Sequence, residues 1–441
     1  MKISKLTAAL LFLLLNSQIS AQNIENSASL KPFNESLNQK KVTQILFLGD
    51  SHIQADYLTA YLRKKLQDKY GNAGRGLVFP SQIANTNGAE DVISATNQTW
   101  ETYRLVHEQN RFLQLGASGF VIGNNADSFL EIQLKNPEDS FDKVIIFNDQ
   151  KMNGQPLEVY AETNSLKNFV QKKSERINYQ ATEGETFHEI VAKNYSTTTK
   201  LRQLNGDRIL QPKAGSSFLV ERNSFTYNPE FEKNIQKLFD AKFTDFKTEI
   251  SFPTPQQVFL IKSNASGGNL FYGFQFLKNT QKGVVLNSVG VNGATYADFL
   301  KFPLQTEQLK TIPTDLLVIA LGTNEAFGKT TKEELQNNIS ALIVKFRAGN
   351  PALPVLLIAP PDNLPKNARV VEFISWIKES AEQNNAAFFD LYSATGGKGY
   401  FKRAQSRKEA SGDGVHYLKP GYEFQAEQIW KAFENVSSNN N

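Results

Sequence analysis

The chain of 441 residues has no cysteine, two methionines, three tryptophans and four histidines. Without cysteine there can be no thiol nucleophile, no disulfide framework and no Cys-ligated zinc or iron–sulfur centre. The histidines are His52, His107, His188 and His416, and none stands at a metal-ligand spacing from another. No metal and no cofactor is therefore expected. An excess of one charge is missing as well: 48 Lys and Arg face 44 Asp and Glu, a net +4. That balance, without a long basic run, argues against nucleic acid as a partner. No apolar run reaches transmembrane length. Leu6 to Leu15, about ten residues, is too short to span a bilayer, so no membrane span is expected in the mature chain.

That short run follows Lys2 and Lys5 and precedes Ile19-Ser20-Ala21. The pattern is that of a signal peptide over residues 1–21, cleaved after Ala21. The mature chain is expected to be secreted, into the periplasm of a Gram-negative bacterium. A chain this long buries enough core to do without disulfides there.

Residues 22–40 are polar, with Phe33 and Leu37 as anchors for a leader lying on the body. From Val42 the pattern is a buried strand, the turn Gly49-Asp50-Ser51 and a helix over 55–69. The alternation resumes downstream, with strands at 284–289, 315–321, 354–359 and 387–391. Helices are expected at 295–310, 331–347, 366–384 and 420–435, before a frayed tail at 437–441. Continuous apolar strands alternating with amphipathic helices predict an α/β body whose parallel sheet is covered on both faces. Its ligand site should lie at the carboxyl ends of the strands. Between the halves, segments such as 129–134, 143–147 and 258–261 alternate in the manner of antiparallel strands. The organisation expected is a body over 22–100 and 280–436 with an inserted, β-rich, sandwich-like domain at 101–279.

Ser51 stands where a serine is exposed at a sheet edge, beside the free N–H groups of a helix start. The same position also suits a plain helix N-cap. Asp413 lies three residues before His416, near enough to hold one tautomer of its ring while the other nitrogen faces a nucleophile. His52 is adjacent to the serine and should diverge from it. Gly290 to Thr295 and Gly322 to Glu325 are loops that end strands. Each could be an ordinary turn, although the Asn324 amide could also donate to a developing oxyanion.

Taken together and in order, GDSH (49–52), NSVGVNGAT (287–295), GTNE (322–325) and DGVH (413–416) resemble the SGNH/GDSL hydrolase superfamily. The resemblance implies a flavodoxin-like three-layer body and a serine esterase. Ser51 would be nucleophile, with Asp413 and His416 completing the triad. The oxyanion donors would be the Ser51 N–H, the Gly293 N–H and the Asn324 amide. His52 and Glu325 depart from the commoner Leu and Asp, and neither is expected to carry an essential role. GDSH with GTNE and a β-rich insert resembles the peptidoglycan O-acetylesterase branch, which implies an acetylated glycan as partner. Residues 178–220 resemble a LysM module, a βααβ unit that binds N-acetylglucosamine polymers. That resemblance rests on Tyr179, the run Glu183 to Thr186, Ile190, Val191, Tyr195, Leu201, Leu204-Asn205, Gly215 and Phe218 to Val220. Alternatives on the same scaffold are a polysaccharide O-acetyltransferase and a plant-polysaccharide acetyl esterase. A cell-wall-binding protein is the non-enzyme alternative.

Overall fold

The computed structural model describes residues 23–39, 41–106, 114–185, 187–194, 196, 198–206, 212–263 and 268–438. The expected signal segment, His107, Thr186, Tyr195 and residues 439–441 lie outside them. The chain divides into two compact units. One joins the chain up to Gly76 with the chain from Asn279 onward, and the other is Leu77–Lys278.

The first unit is built on five parallel strands: β1 (Val42–Gly49), β2 (Gly283–Gly290), β3 (Leu316–Ala320), β4 (Val355–Ile358) and β5 (Ala387–Phe389). Their order in space is β2-β1-β3-β4-β5. Along β1, Ile45 and Phe47 enter a core with Leu58, Leu62, Leu66, Ile429 and Trp430. The alternate residues Leu46 and Leu48 are buried too, so both faces of the sheet are covered. The chain runs from β1 out to β2 on one side and then crosses to β3 on the other. That reversal leaves a crevice at the carboxyl end of β1, flanked by the loops after β2 and β3.

Three helices match the sequence pattern closely: α2 (Tyr57–Tyr70), α5 (Lys332–Arg347) and α6 (Asn367–Gln383); α1 (Ser51–Gln54) precedes them, and α3 (Pro303–Lys310) and α4 (Thr323–Phe327) lie between α2 and α5. Thr331 and Glu334 form a reciprocal capping box at the start of α5. The last helix, α7 (Lys419–Ser438), extends past the expected end at 435. The helix expected over 295–310 is instead a short 3-10 turn, Asp298–Leu300, followed by α3. Pro303 causes the break. Its ring pushes Phe302 to an extended ψ of 108°, and the proline then serves as the first residue of a new helix. The polar leader contains a helix, Lys31–Asn38, that carries Phe33 into full burial.

The second unit holds two antiparallel sheets. One runs Ile235–Lys242, Pro156–Glu162, Val258–Ser263, Ser128–Leu134, Val92–Thr96 in space. The other includes Lys247–Gln256, Phe141–Asn148, Asn269–Leu277, Phe120–Asn124 and Glu101–Arg104. Leu130, Ile132 and Phe259 of the first share a core with Val144, Ile146 and Phe274 of the second. Beyond these sheets, Val170–Gln180 and Ser217–Tyr227 pair with each other alone. Two helices, Phe187–Lys193 and Thr198–Asn205, lie between them in sequence. Ala181, Ile190, Leu201, Phe218 and Val220 make this element a small core of its own. The Asn205 side chain grips the Leu219 backbone at 2.8 Å from both its oxygen and its nitrogen.

Candidate active site

Ser51 opens α1 directly beyond β1. Asp50 caps that helix by accepting the His52 N–H at 2.9 Å. The capping role that Ser51 could have taken is thus filled by its neighbour, and the Ser51 hydroxyl lies 2.7 Å from His416 Nε2. The turn is tight. A Cβ on Gly290 would sit 2.3 Å from the Gln54 nitrogen, so only glycine fits there.

His416 is held from behind. Asp413 Oδ1 accepts from the Ser411 hydroxyl at 2.6 Å and from the N–H groups of Val415 and His416 at 2.8 and 2.9 Å. Asp413 Oδ2 meets His416 Nδ1 at 2.6 Å. Burial pushes the Asp413 carboxyl up, but these four donors outweigh it and hold the group well below the usual carboxylate range. An ionised carboxylate only accepts, so Nδ1 carries the imidazole proton and Nε2 is left to accept from Ser51. The arrangement is open to solvent: the His416 side chain is 41% exposed and that of Asp413 49%.

The loop after β2 is pinned by its backbone. The Val291 N–H donates to Gly49 O, Asn292 to Gln54 Oε1, Ala294 to Val291 O, Thr295 to Asp298 Oδ2 and Tyr296 to Glu325 Oε1. Gly293, at φ 84°, is the one residue of that run whose N–H has no partner among the described residues. The Ser51 N–H, at the start of its helix, has none either. Asn324 Nδ2 donates to Ala294 O at 2.9 Å and stands 3.4 Å from Asp50 Oδ2. The five residues singled out in the sequence therefore fall into two groups. Ser51, His416 and Asp413 form one continuous hydrogen-bond chain. Gly293 and Asn324 meet through Ala294.

Several neighbours carried no signal in the sequence beyond their type. His52 turns away from Ser51, as expected, but into the core: its Nδ1 lies 3.1 Å from the Tyr422 hydroxyl and its ring 5.6 Å from that of His416. Burial holds His52 down to about 3, so it is neutral and cannot serve as a second cation. Asp50 and Glu325 are both buried, and burial pushes each carboxyl up to about 7. His188 lies in the second unit, on the helix Phe187–Lys193. Among the described residues no group of three or more His, Asp and Glu is placed to hold a metal ion.

A hydroxyl, an imidazole and an ionised carboxylate in line, at the carboxyl edge of a parallel sheet, define a serine-hydrolase-type enzyme. Residues 262–424 match the GDSL-like Lipase/Acylhydrolase family. Among solved structures, a peptidoglycan O-acetylesterase is similar over 94% of this chain and 96% of its own, with a TM-score of 0.63 and 18% identity. That likeness is one of fold. A lipase/acylhydrolase from Enterococcus faecalis (24% identity, TM-score 0.29) covers 36% of this chain and 77% of its own. An acetylxylan esterase from Geobacillus stearothermophilus (16% identity, TM-score 0.29) covers 34% and 72%. No curated protein matches the chain.

Proposed function

We propose that the chain is an exported carbohydrate O-acetylesterase that removes acetyl groups from O-acetylated peptidoglycan through a Ser51 acyl-enzyme. The observation that carries this reading is the unbroken Ser51–His416–Asp413 hydrogen-bond chain, with distances of 2.7 and 2.6 Å. Ser51 Oγ attacks the acetyl carbonyl as its proton passes to His416 Nε2. The oxyanion that forms takes hydrogen bonds from the N–H groups of Ser51 and Gly293 and from the Asn324 amide. His416 then returns the proton to the departing sugar oxygen. Water, giving its proton to His416, attacks the acetyl-serine, and His416 returns that proton to Ser51 Oγ as the ester bond breaks and acetate leaves. Asp413 stays ionised throughout and steadies the imidazolium.

Three features support peptidoglycan as the substrate. The solved peptidoglycan O-acetylesterase shares this fold over nearly its whole length, the second unit included. The strand–helix–helix–strand element spanning 170–227 contains the segment that resembles a LysM module, and we read it as a glycan contact. The N-terminal signal pattern would deliver the chain to the wall. A half-exposed His416 suits a bulky polymer and also leaves water free to approach, which favours hydrolysis over transfer of the acetyl group to a second glycan.

The test is acetate release by the purified chain from O-acetylated peptidoglycan, with acetylated xylan and the Ser51→Ala variant alongside. Release from peptidoglycan should exceed release from xylan, and Ser51→Ala should lose about 10⁴-fold or more in turnover. Faster release from xylan would redirect the substrate assignment. A Ser51→Ala variant within tenfold of wild type would remove Ser51 from the chemistry.

A further inference from the structure

Glu325 looks inert in the sequence, a longer carboxylate beside Asn324. The structure places it differently. Its side chain points inward from α4, at 3% exposure for the residue, and Oε1 accepts the Tyr296 N–H at 2.7 Å. Its other oxygen, Oε2, is buried with no hydrogen-bond partner among the described residues. Burying a carboxyl in this way is unfavourable, and surface residues of the same helix turn could carry one at no such cost. The oxygen that is used reaches the same loop that Asn324 reaches. Adjacent residues on one short helix therefore hold adjacent parts of the loop after β2: Asn324 takes the Ala294 carbonyl and Glu325 takes the Tyr296 N–H. The residue just ahead of both grips is Gly293, the one with the open N–H. A glycine at φ 84° has no side chain to fix its peptide plane, so its direction depends on how the flanking peptides are tied.

We propose that Glu325 is a positioning residue for the oxyanion site: its carboxyl oxygen, acting on the Tyr296 N–H, fixes the loop that aims the Gly293 N–H. The inference rests on the esterase reading above. Glu325 touches no reacting atom and acts only through the loop. Its effect should therefore fall on turnover rather than on substrate affinity, because an oxyanion donor serves charge that exists only in the transition state.

The experiment measures kcat and KM for 4-nitrophenyl acetate with wild type, Ser51→Ala, Glu325→Gln, Glu325→Leu, Asn324→Ala and the Glu325→Leu/Asn324→Ala pair, each checked for folding by its thermal transition. Glu325→Gln keeps an acceptor oxygen at the same reach and should stay within about threefold of wild type. Glu325→Leu keeps the bulk without the acceptor and should lower kcat by about 10- to 100-fold, in line with a small misplacement of a catalytic group, with KM changed less than about threefold. The double variant should lose less than the product of the single losses, since both act on one loop. Should Glu325→Leu not fold, Glu325→Asp, which draws the carboxyl back by one methylene, takes its place with the same expected loss. A leucine or aspartate variant with wild-type kcat, a glutamine variant as impaired as leucine, or fully multiplicative losses would each overturn the proposal. Wild-type hydrolysis that does not depend on Ser51 would instead bring down the esterase reading itself.

Discussion

Asn324 has two amide hydrogens, and only one is well engaged: Ala294 O lies at 2.9 Å, whereas Asp50 Oδ2 lies at 3.4 Å. The second, held only by this long bond to Asp50, is the one that the proposed mechanism gives to the oxyanion. Asn324→Ala should therefore lower kcat by about 10²–10³ for a small acetyl ester, the usual cost of one lost oxyanion donor, and leave KM nearly unchanged. A variant altered only in KM would make Asn324 a substrate-holding residue. Asp50 next door gives a measurable pH signature. Burial pushes its carboxyl from 3.8 to about 7, so between those values the folded chain keeps a proton that the unfolded chain has lost. Its contribution to stability therefore falls as pH rises through that window. His52 has the opposite sign: with its ring held from 6.5 down to about 3, the folded chain binds fewer protons there, and stability rises with pH. Comparing Asp50→Asn with wild type cancels the His52 effect, which both proteins share. The difference in thermal midpoint should move in favour of the variant from about pH 4 to about pH 7. A difference that stays constant over that range would mean that Asp50 titrates like a solvated carboxylate. At this scale the sequence was legible where residue type and order foretell proximity, as for Ser51, Asp413 and His416, whose side chains the structure joins in one hydrogen-bond chain. Glu325 read as inessential, and nothing in the sequence showed that Asp50 and His52 are buried, because their partners Asn324 and Tyr422 lie hundreds of residues away in the chain.

The strands of the parallel sheet were legible because most carry consecutive apolar residues rather than an alternation, as in Ile45–Leu48 of β1 and Leu316–Ala320 of β3, which a strand buried on both faces requires. Helices with clear stripes were legible for the same reason. The 295–310 segment was not, since its apolar spacing continues through a place where Pro303 interrupts the backbone and where Thr295 and Asp298 close a local turn instead. The leader helix was missed because its own sequence is mostly polar and only Phe33 and Leu37 reach the core. Between β1 and β2 the elements meet at glycine. A Cβ on Gly290 would approach the Gln54 nitrogen to 2.3 Å and the Ile53 carbonyl carbon to 2.5 Å. Both are backbone atoms of α1 and cannot rotate aside, so strand and helix would have to part. Gly290→Ala should cost about 3 kcal/mol, the upper end of ordinary overpacking, and should lower activity with it because α1 begins at Ser51. Differential scanning calorimetry would check this, and a melting point within about 2 °C of wild type would show that the turn can yield.

In the whole molecule, the second unit offers a clean cut. Gln180 and Ser217 are paired neighbours across the outlying hairpin, so residues 181–216 can be replaced by a short Gly-Asn turn that leaves both strands in register. If that element holds glycan, the shortened protein should hydrolyse 4-nitrophenyl acetate as wild type does, yet sediment less with insoluble peptidoglycan and release acetate from it more slowly. A folded variant that binds and deacetylates the polymer like wild type would make the element purely structural. The sheets of this unit were visible in the sequence as alternating segments, but their pairing order was not, because antiparallel neighbours such as Ser128–Leu134 and Val258–Ser263 are set by contacts far apart in the chain.

The position of β1 has a consequence in time. It is an inner strand, and both its neighbours come late: Val42 pairs with Gly283, and Ile45 with Leu316. As the chain grows, the strand that leads to Ser51 emerges early and stays unpaired until Leu77–Lys278 has been made. That later segment has its own core and can fold while β1 waits. His416 comes later still, just ahead of the final helix. A nascent chain therefore has a nucleophile with no base, and the hydrolytic centre comes into being only once the segment that carries Asp413 and His416 has been made.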